Sequence, residues 1–162
     1  MKPTIVTIGV YGFDEQNFFQ ALQRARIDTL CDIRARRGVR GSEYTFANSE
    51  RLQQKLAGLN IRYIHLKQLA PSDEIRQMQA EEDRRAKVAR RKRARLGEAF
   101  QEAYKQDILK NLDAQDVLRQ MGEGAERIAL LCVEREPEAC HRSLLAAWLR
   151  ESLGVPVEHI TP

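Results

Sequence analysis

The sequence predicts an α/β fold: a single domain over residues 1–162, with a mostly parallel sheet of about five strands and helices on both faces. Three observations predict it. Short apolar runs, Thr4 to Ile8, Ile27 to Ile33 and Ile128 to Val133, alternate with stretches whose apolar residues recur at helical spacing. Those three runs are apolar on both sides, as strands covered by helices on both faces are. A chain of 162 residues, 43% of them hydrophobic, suits one core, and no repeat, low-complexity stretch or interdomain linker divides it.

In order, Thr4 to Ile8 is a β-branched strand ending at Gly9, and Gly9 to Phe13 is a short turn. Asp14 is the expected N-cap of a helix carrying Phe18, Phe19, Leu22 and Ala25. Ile27 to Ile33 is a second strand, followed at once by the cationic loop Arg34 to Gly41. Asn48 or Ser49 caps a helix with Leu52, Leu56 and Leu59 on one face. Ile61 to His65 alternates in part, which suits an edge strand.

Ser72 is the expected cap of a long basic helix, an insertion before the fourth strand running over about residues 72–96. The acid-to-base pairs Glu81/Arg85 and Asp83/Lys87 support it. Gly97 breaks or bends it, and Phe100, Tyr104, Ile108 and Leu112 continue with a four-residue period. Asp113 caps a further helix that ends at Gly122. Ile128 to Val133, a polar loop and the helix through Leu144, Leu145, Trp148 and Leu149 follow; Gly154 closes that helix, and Val155 to Ile160 is the last strand.

The net charge of +4 is local. Arg84, Arg85, Lys87, Arg90, Arg91, Lys92, Arg93 and Arg95 fall in one stretch without an acid, and the rest of the chain would be net negative. That density points to a nucleic acid or another polyanion as partner; the alternative is a solvated helix face. No run is long and apolar enough to cross a membrane, and Met1-Lys2-Pro3-Thr4 leads straight into a strand without a signal-like stretch, so a cytoplasmic location is the expectation. Three cysteines, an odd number, predict thiols rather than a disulfide framework.

In a doubly wound sheet, loops after the strand carboxyl ends gather on one edge and carry the site. Here that gathers Gly9 to Phe13, Asp32 to Gly41, His65 to Gln68 and Cys132 to Arg142. With Pro137 as the first helical residue, Cys140 falls in the first turn, where free N–H groups favour anions and thiolates. Arg142 then adds a forked cation for phosphate, sulfate or carboxylate; the alternative is packing of Cys140 and pairing of Arg142 with Glu138. Cys132 and Glu134, two apart, share a side of their strand. Asp32 and Arg34 likewise share a face, as a structural ion pair or as an acid beside an anion clamp.

The expected catalytic groups are therefore Cys132, Cys140, Glu134 and Asp32, with Arg142, Arg34, His141, Gly9 and His65 as anion-binding groups. The Cys132 to Cys140 spacing is not that of a zinc knuckle, so no metal ligands are assigned, although Cys132, Cys140, His141 and a distant His65 could form a set. The loop spacing of cysteine phosphatases and sulfurtransferases is absent, as are the Walker and dinucleotide glycine patterns.

Four stretches together resemble a known family. They are Thr7-Ile8-Gly9, Asp32-Ile33-Arg34, Tyr63-Ile64-His65, and Leu131-Cys132-Val133-Glu134 followed by Cys140-His141-Arg142 and a Leu-Leu-Ala helix. They resemble the domain of unknown function 488 family over almost the whole chain. The resemblance implies an α/β fold and a site at these positions, without fixing a reaction or cofactor. Gly9-Val10-Tyr11 and Leu69-Ala70-Pro71 depart from the Gly-His-Ser and Leu-Gly-Gly of many members. The first functional reading is an enzyme with a thiol at an anion site, acting on a nucleotide or nucleic acid. The others are a non-catalytic nucleic-acid-binding module using the basic helix, and a metal-binding protein through Cys and His.

Overall fold

The computed structural model describes residues 2–162. Five strands, β1 (Thr4–Ile8), β2 (Thr29–Asp32), β3 (Arg62–His65), β4 (Arg127–Leu131) and β5 (Val157–Ile160), form one sheet in the order β3-β2-β4-β1-β5. Every pairing is parallel. Six α-helices connect them: α1 (Glu15–Arg24), α2 (Ser49–Gly58), α3 (Asp73–Ala86), α4 (Glu98–Asp107), α5 (Ala114–Met121) and α6 (His141–Leu153).

Local chemistry accounts for the helix starts. Asp14, Ser72 and Asp113 each accept a backbone N–H of the turn they open. Asn48 flanks α2 without such a bond; its side chain accepts from Val39 N–H and pins the preceding loop. Gly154, at φ 70°, closes α6 in the left-handed region that glycine enters without cost.

The sheet separates two apolar layers. Phe18, Phe19 and Leu22 of α1 and Leu52 and Leu56 of α2 pack with Val6, Ile8, Ala129 and Leu131 on one face. Phe100, Tyr104, Val117, Met121, Leu145 and Leu149 pack with Ile5, Cys31, Ile128 and Leu130 on the other, which α3 to α6 cover. The connections leaving β1 and β4, neighbours in the sheet, thus pass to opposite faces. Their carboxyl ends form the crevice where sites of open α/β sheets lie. Tyr104, fully buried, donates its hydroxyl to the Leu69 carbonyl at 2.7 Å and ties α4 to the chain after β3. Tyr104→Phe is expected to lower stability by about 1–2 kcal/mol, read by urea denaturation, because it strands a buried carbonyl.

One expected element differs. The helix over residues 72–96 stops at Ala86, where Lys87 adopts φ 56° and the Lys87 and Val88 N–H groups turn back to Arg84 and Asp83 carbonyls. Continuing it would have stacked Arg84, Arg91 and their neighbours at like-charge spacings, which helices disfavour. Residues 88–96 instead form a strap with one 3-10 turn, Arg90–Lys92, and Gly97 begins α4. Arg93 secures the strap, donating to Asp83 at 2.6 Å and to the Ala139 carbonyl at 3.0 Å.

Candidate functional site

β4 delivers the site. Alternation along the strand and its continuation sends Ala129, Leu131 and Val133 to one apolar layer and Ile128, Leu130 and Cys132 to the other. Glu134, two residues beyond Cys132, brings its carboxylate Oε2 to 3.6 Å from Cys132 Sγ. A 3-10 turn, Pro137–Ala139, follows, so proline opens that turn and not α6. Cys140 takes the N-cap position of α6 and His141 its first residue.

This places three groups together. His141 Nδ1 lies 3.6 Å from Cys132 Sγ and 3.7 Å from Cys140 Sγ. The two sulfurs and the nitrogen all fall within 4.8 Å of one another. His141 Nε2 is 3.0 Å from the Ile33 carbonyl. A carbonyl only accepts, so Nε2 carries the proton, and in the neutral ring Nδ1 is a bare lone pair facing both sulfurs. Cys132, Cys140, His141 and Glu134 are 4%, 2%, 5% and 3% exposed, out of reach of bulk solvent.

The electrostatics divide the two thiols. Burial, then the neighbouring Cys140, pushes the Cys132 thiol well above its ordinary value. Burial also opposes ionisation of Cys140, but Cys132, His141 and Arg142 together outweigh it and hold that thiol well below its usual range. Burial would lower His141, yet the adjacent Cys140 and the Ile33 carbonyl hold it above its usual value. The two thiols are thus pushed in opposite directions.

The strap covers this cluster. Glu134 Oε1 accepts from Arg90 Nε at 2.8 Å and from Arg93 Nη2 at 3.1 Å. Two of the eight cations expected to face a polyanion thus pair with a buried carboxylate, Arg93 from a largely buried position and Arg90 from an exposed one. Nothing in the spacing of Arg90 and Arg93 announces Glu134, about forty positions away.

The other expected residues have protein partners. Arg142 is fully buried; its Nη1 donates to the Glu134 carbonyl at 2.5 Å, Nη2 to the Arg135 carbonyl at 3.1 Å and Nε to Thr7 Oγ1 at 3.3 Å. It holds the loop after β4 in place and makes no pair with Glu138. Gly9 is explained by closeness: a Cβ there would lie 1.9 Å from the Glu134 carbonyl oxygen and 2.9 Å from Arg142 Nη1.

Asp32, Arg34 and His65 do not reach the thiols. Cys31 and Ile33 belong to the layer that holds Cys132, so alternation turns Asp32 to the opposite face. There Arg34 clamps it with two bonds of 2.8 Å, and the Tyr63 hydroxyl donates to Oδ2 at 2.7 Å. The pair is structural in geometry, although Arg34 Nη1, buried, has no partner among the described residues. His65 Nε2 sits 2.8 Å from the Arg34 carbonyl. Asp32 thus faces away from Cys132 across the sheet, and His65 is not among the residues that gather with the thiols.

Among known proteins, the family model described as domain of unknown function DUF488 matches residues 15–149. No curated protein and no solved structure matches the chain.

Proposed function

The chain belongs to the domain of unknown function DUF488 family, and we propose that its Cys132, Cys140 and His141 hold a divalent transition metal, zinc being the best fit to two thiolates and an imidazole. The observation that carries this reading is the pair of sulfur–nitrogen distances, 3.6 and 3.7 Å. A tetrahedral zinc with Zn–S of about 2.3 Å and Zn–N of about 2.0 Å has S···N edges of about 3.5 Å. Two of the three ligand-to-ligand edges are thus close to what the ion needs.

Second-sphere chemistry supports it. A metal-bound histidine commonly donates its remote N–H to a carbonyl, and the Nε2 contact with Ile33 is of that kind. The lowered Cys140 thiol lies in the direction that thiolate ligation requires. Three protein donors leave a fourth position, for Glu134 Oε2 or for water, as in sites that do chemistry. Glu134 Oε1 is already engaged by Arg90 and Arg93, which orients Oε2.

Burial favours a metal over a free nucleophile. A substrate carbon or phosphorus must touch a nucleophilic sulfur, whereas an ion needs only a narrow entry. The expected anion clamp is also weakened, because all three donor nitrogens of Arg142 are engaged by the protein. Elemental analysis of untagged protein, after dialysis against trace zinc, should find about one equivalent per chain. Cys140→Ser and His141→Ala should each reduce it severalfold. Substoichiometric metal in the wild-type protein, with both variants unchanged, would falsify the reading.

A further inference from the structure

The outer surface of the strap carries a second, independent arrangement. Arg91 of the strap donates to the Arg40 carbonyl at 3.0 Å and approaches Glu43 at 3.5 Å. These contacts seam the strap to the cationic loop after β2, about fifty residues earlier in the chain. Two basic segments that the sequence keeps apart are thus in contact. Arg36 and Arg40 belong to one, Lys92 to the other, and Arg84, Arg85 and Lys87 to the chain just before it, all exposed. Among the described residues, none of these six has a carboxylate within salt-bridge distance. Glu43 is the acid at the seam, and Arg91 faces it.

At that contact is an aromatic platform. The Arg91 guanidinium lies 5.2 Å from the Tyr11 ring centroid and 5.4 Å from that of Tyr44, with the two rings 5.3 Å apart. Its side chain is 47% exposed. The tyrosines flank a planar cation whose side chain is nearly half open to solvent. A guanidinium plane of this kind stacks on an unpaired base, and flanking cations track the phosphates on either side.

We propose that this surface, Arg40, Arg84, Lys87 and Lys92 around the Arg91–Tyr11–Tyr44 stack, binds single-stranded nucleic acid. The phosphates contact the cations and one base stacks on Arg91. Single strands are favoured over duplex because the platform is a flat face that a paired base cannot reach. The inference does not depend on the metal, since none of these side chains is a ligand of it.

Fluorescence anisotropy with labelled mixed-sequence oligonucleotides of about twelve residues, single-stranded and duplex, tests it. Single strands should bind more tightly than duplex, with affinity falling steeply as salt rises. Arg40→Glu and Lys92→Glu, both exposed, should each weaken binding severalfold and flatten the salt slope. Arg91→Lys keeps the charge but loses the plane, and should weaken binding about fivefold or more with little change of slope. Absence of binding, tighter binding of duplex, or Arg40→Glu without effect while Lys92→Glu weakens binding would each overturn the proposal. The last result would leave the strap acting alone and refute the joined surface. Metal content measured on the same variants should be unchanged, which separates failure here from failure of the metal centre.

Discussion

Arg142→Met should lower the free energy of unfolding by about 2–4 kcal/mol, the largest loss expected from any single polar side chain here. Arg142 is fully buried, and it donates to two successive backbone carbonyls, of Glu134 and Arg135, and to Thr7. Methionine fills similar volume but donates nothing. Each carbonyl left unpaired costs about 1–3 kcal/mol. Relief of a buried charge offsets part of that loss, which keeps the expected figure below the simple total. The carbonyls also define the loop that positions Glu134, so on the proposed metal reading zinc retention should fall with stability. Urea denaturation with an unchanged m-value reads the effect directly. A midpoint within experimental scatter of the wild type would show that the loop is held by other contacts.

Gly9→Ala is expected to cost about 3 kcal/mol or more, for a steric reason. The new Cβ would stand 1.9 Å from the Glu134 carbonyl oxygen, which Arg142 also holds. That oxygen is backbone, not the free end of a flexible side chain. Either β1 parts from the loop after β4, or the Arg142 bond breaks, and both disturb the ground beneath Cys132 and Glu134. Gly58→Ala is the control: its Cβ would meet nothing within 4 Å, and it should be neutral or stabilising by about 0.5 kcal/mol. Thermal melts of the two variants should move in opposite directions or by very unequal amounts. Equal shifts would mean that the close approach at Gly9 is readily relaxed.

The two results bear on the same crevice. Gly9 lets the Glu134 carbonyl come close to β1, Arg142 binds that carbonyl, and the loop so fixed presents Glu134 beside Cys132. Residues that sequence reading assigned to an anion thus act on the framework of the site. A buried arginine and a crowded glycine at a strand end both mark a shaped loop. Arginine identity alone does not set the role, because guanidinium groups serve carbonyls and anions with the same donors.

Local patterns were easily read. Asp14, Ser72 and Asp113 cap helices as their types and positions imply, since a cap acts within one turn. Period-two alternation put Cys132 and Glu134 on one side, and the 3.6 Å contact follows from it. The same rule, applied across strands, could have separated Asp32 from Cys132. It needed the sheet order, with β4 between β2 and β1, to say which faces coincide. The end of α3 at Ala86 was less legible, because propensity and acid–base pairs favour continuation, whereas the pull of Asp83, Ala139 and Glu134 on Arg93 is tertiary.

By itself, then, the sequence determined the alternating α/β architecture, most element positions and the concentration of thiols, imidazole and acid after β4, because periodicity, capping and strand alternation act over a few residues. Only the tertiary structure decided that Cys132, Cys140 and His141 meet around one point, that Asp32 and His65 do not join them, and that Arg90 and Arg93 close over Glu134 while Arg91 crosses to Arg40. Those contacts link residues from one to about fifty positions apart, and their geometry is set by the order of the strands and the packing between them.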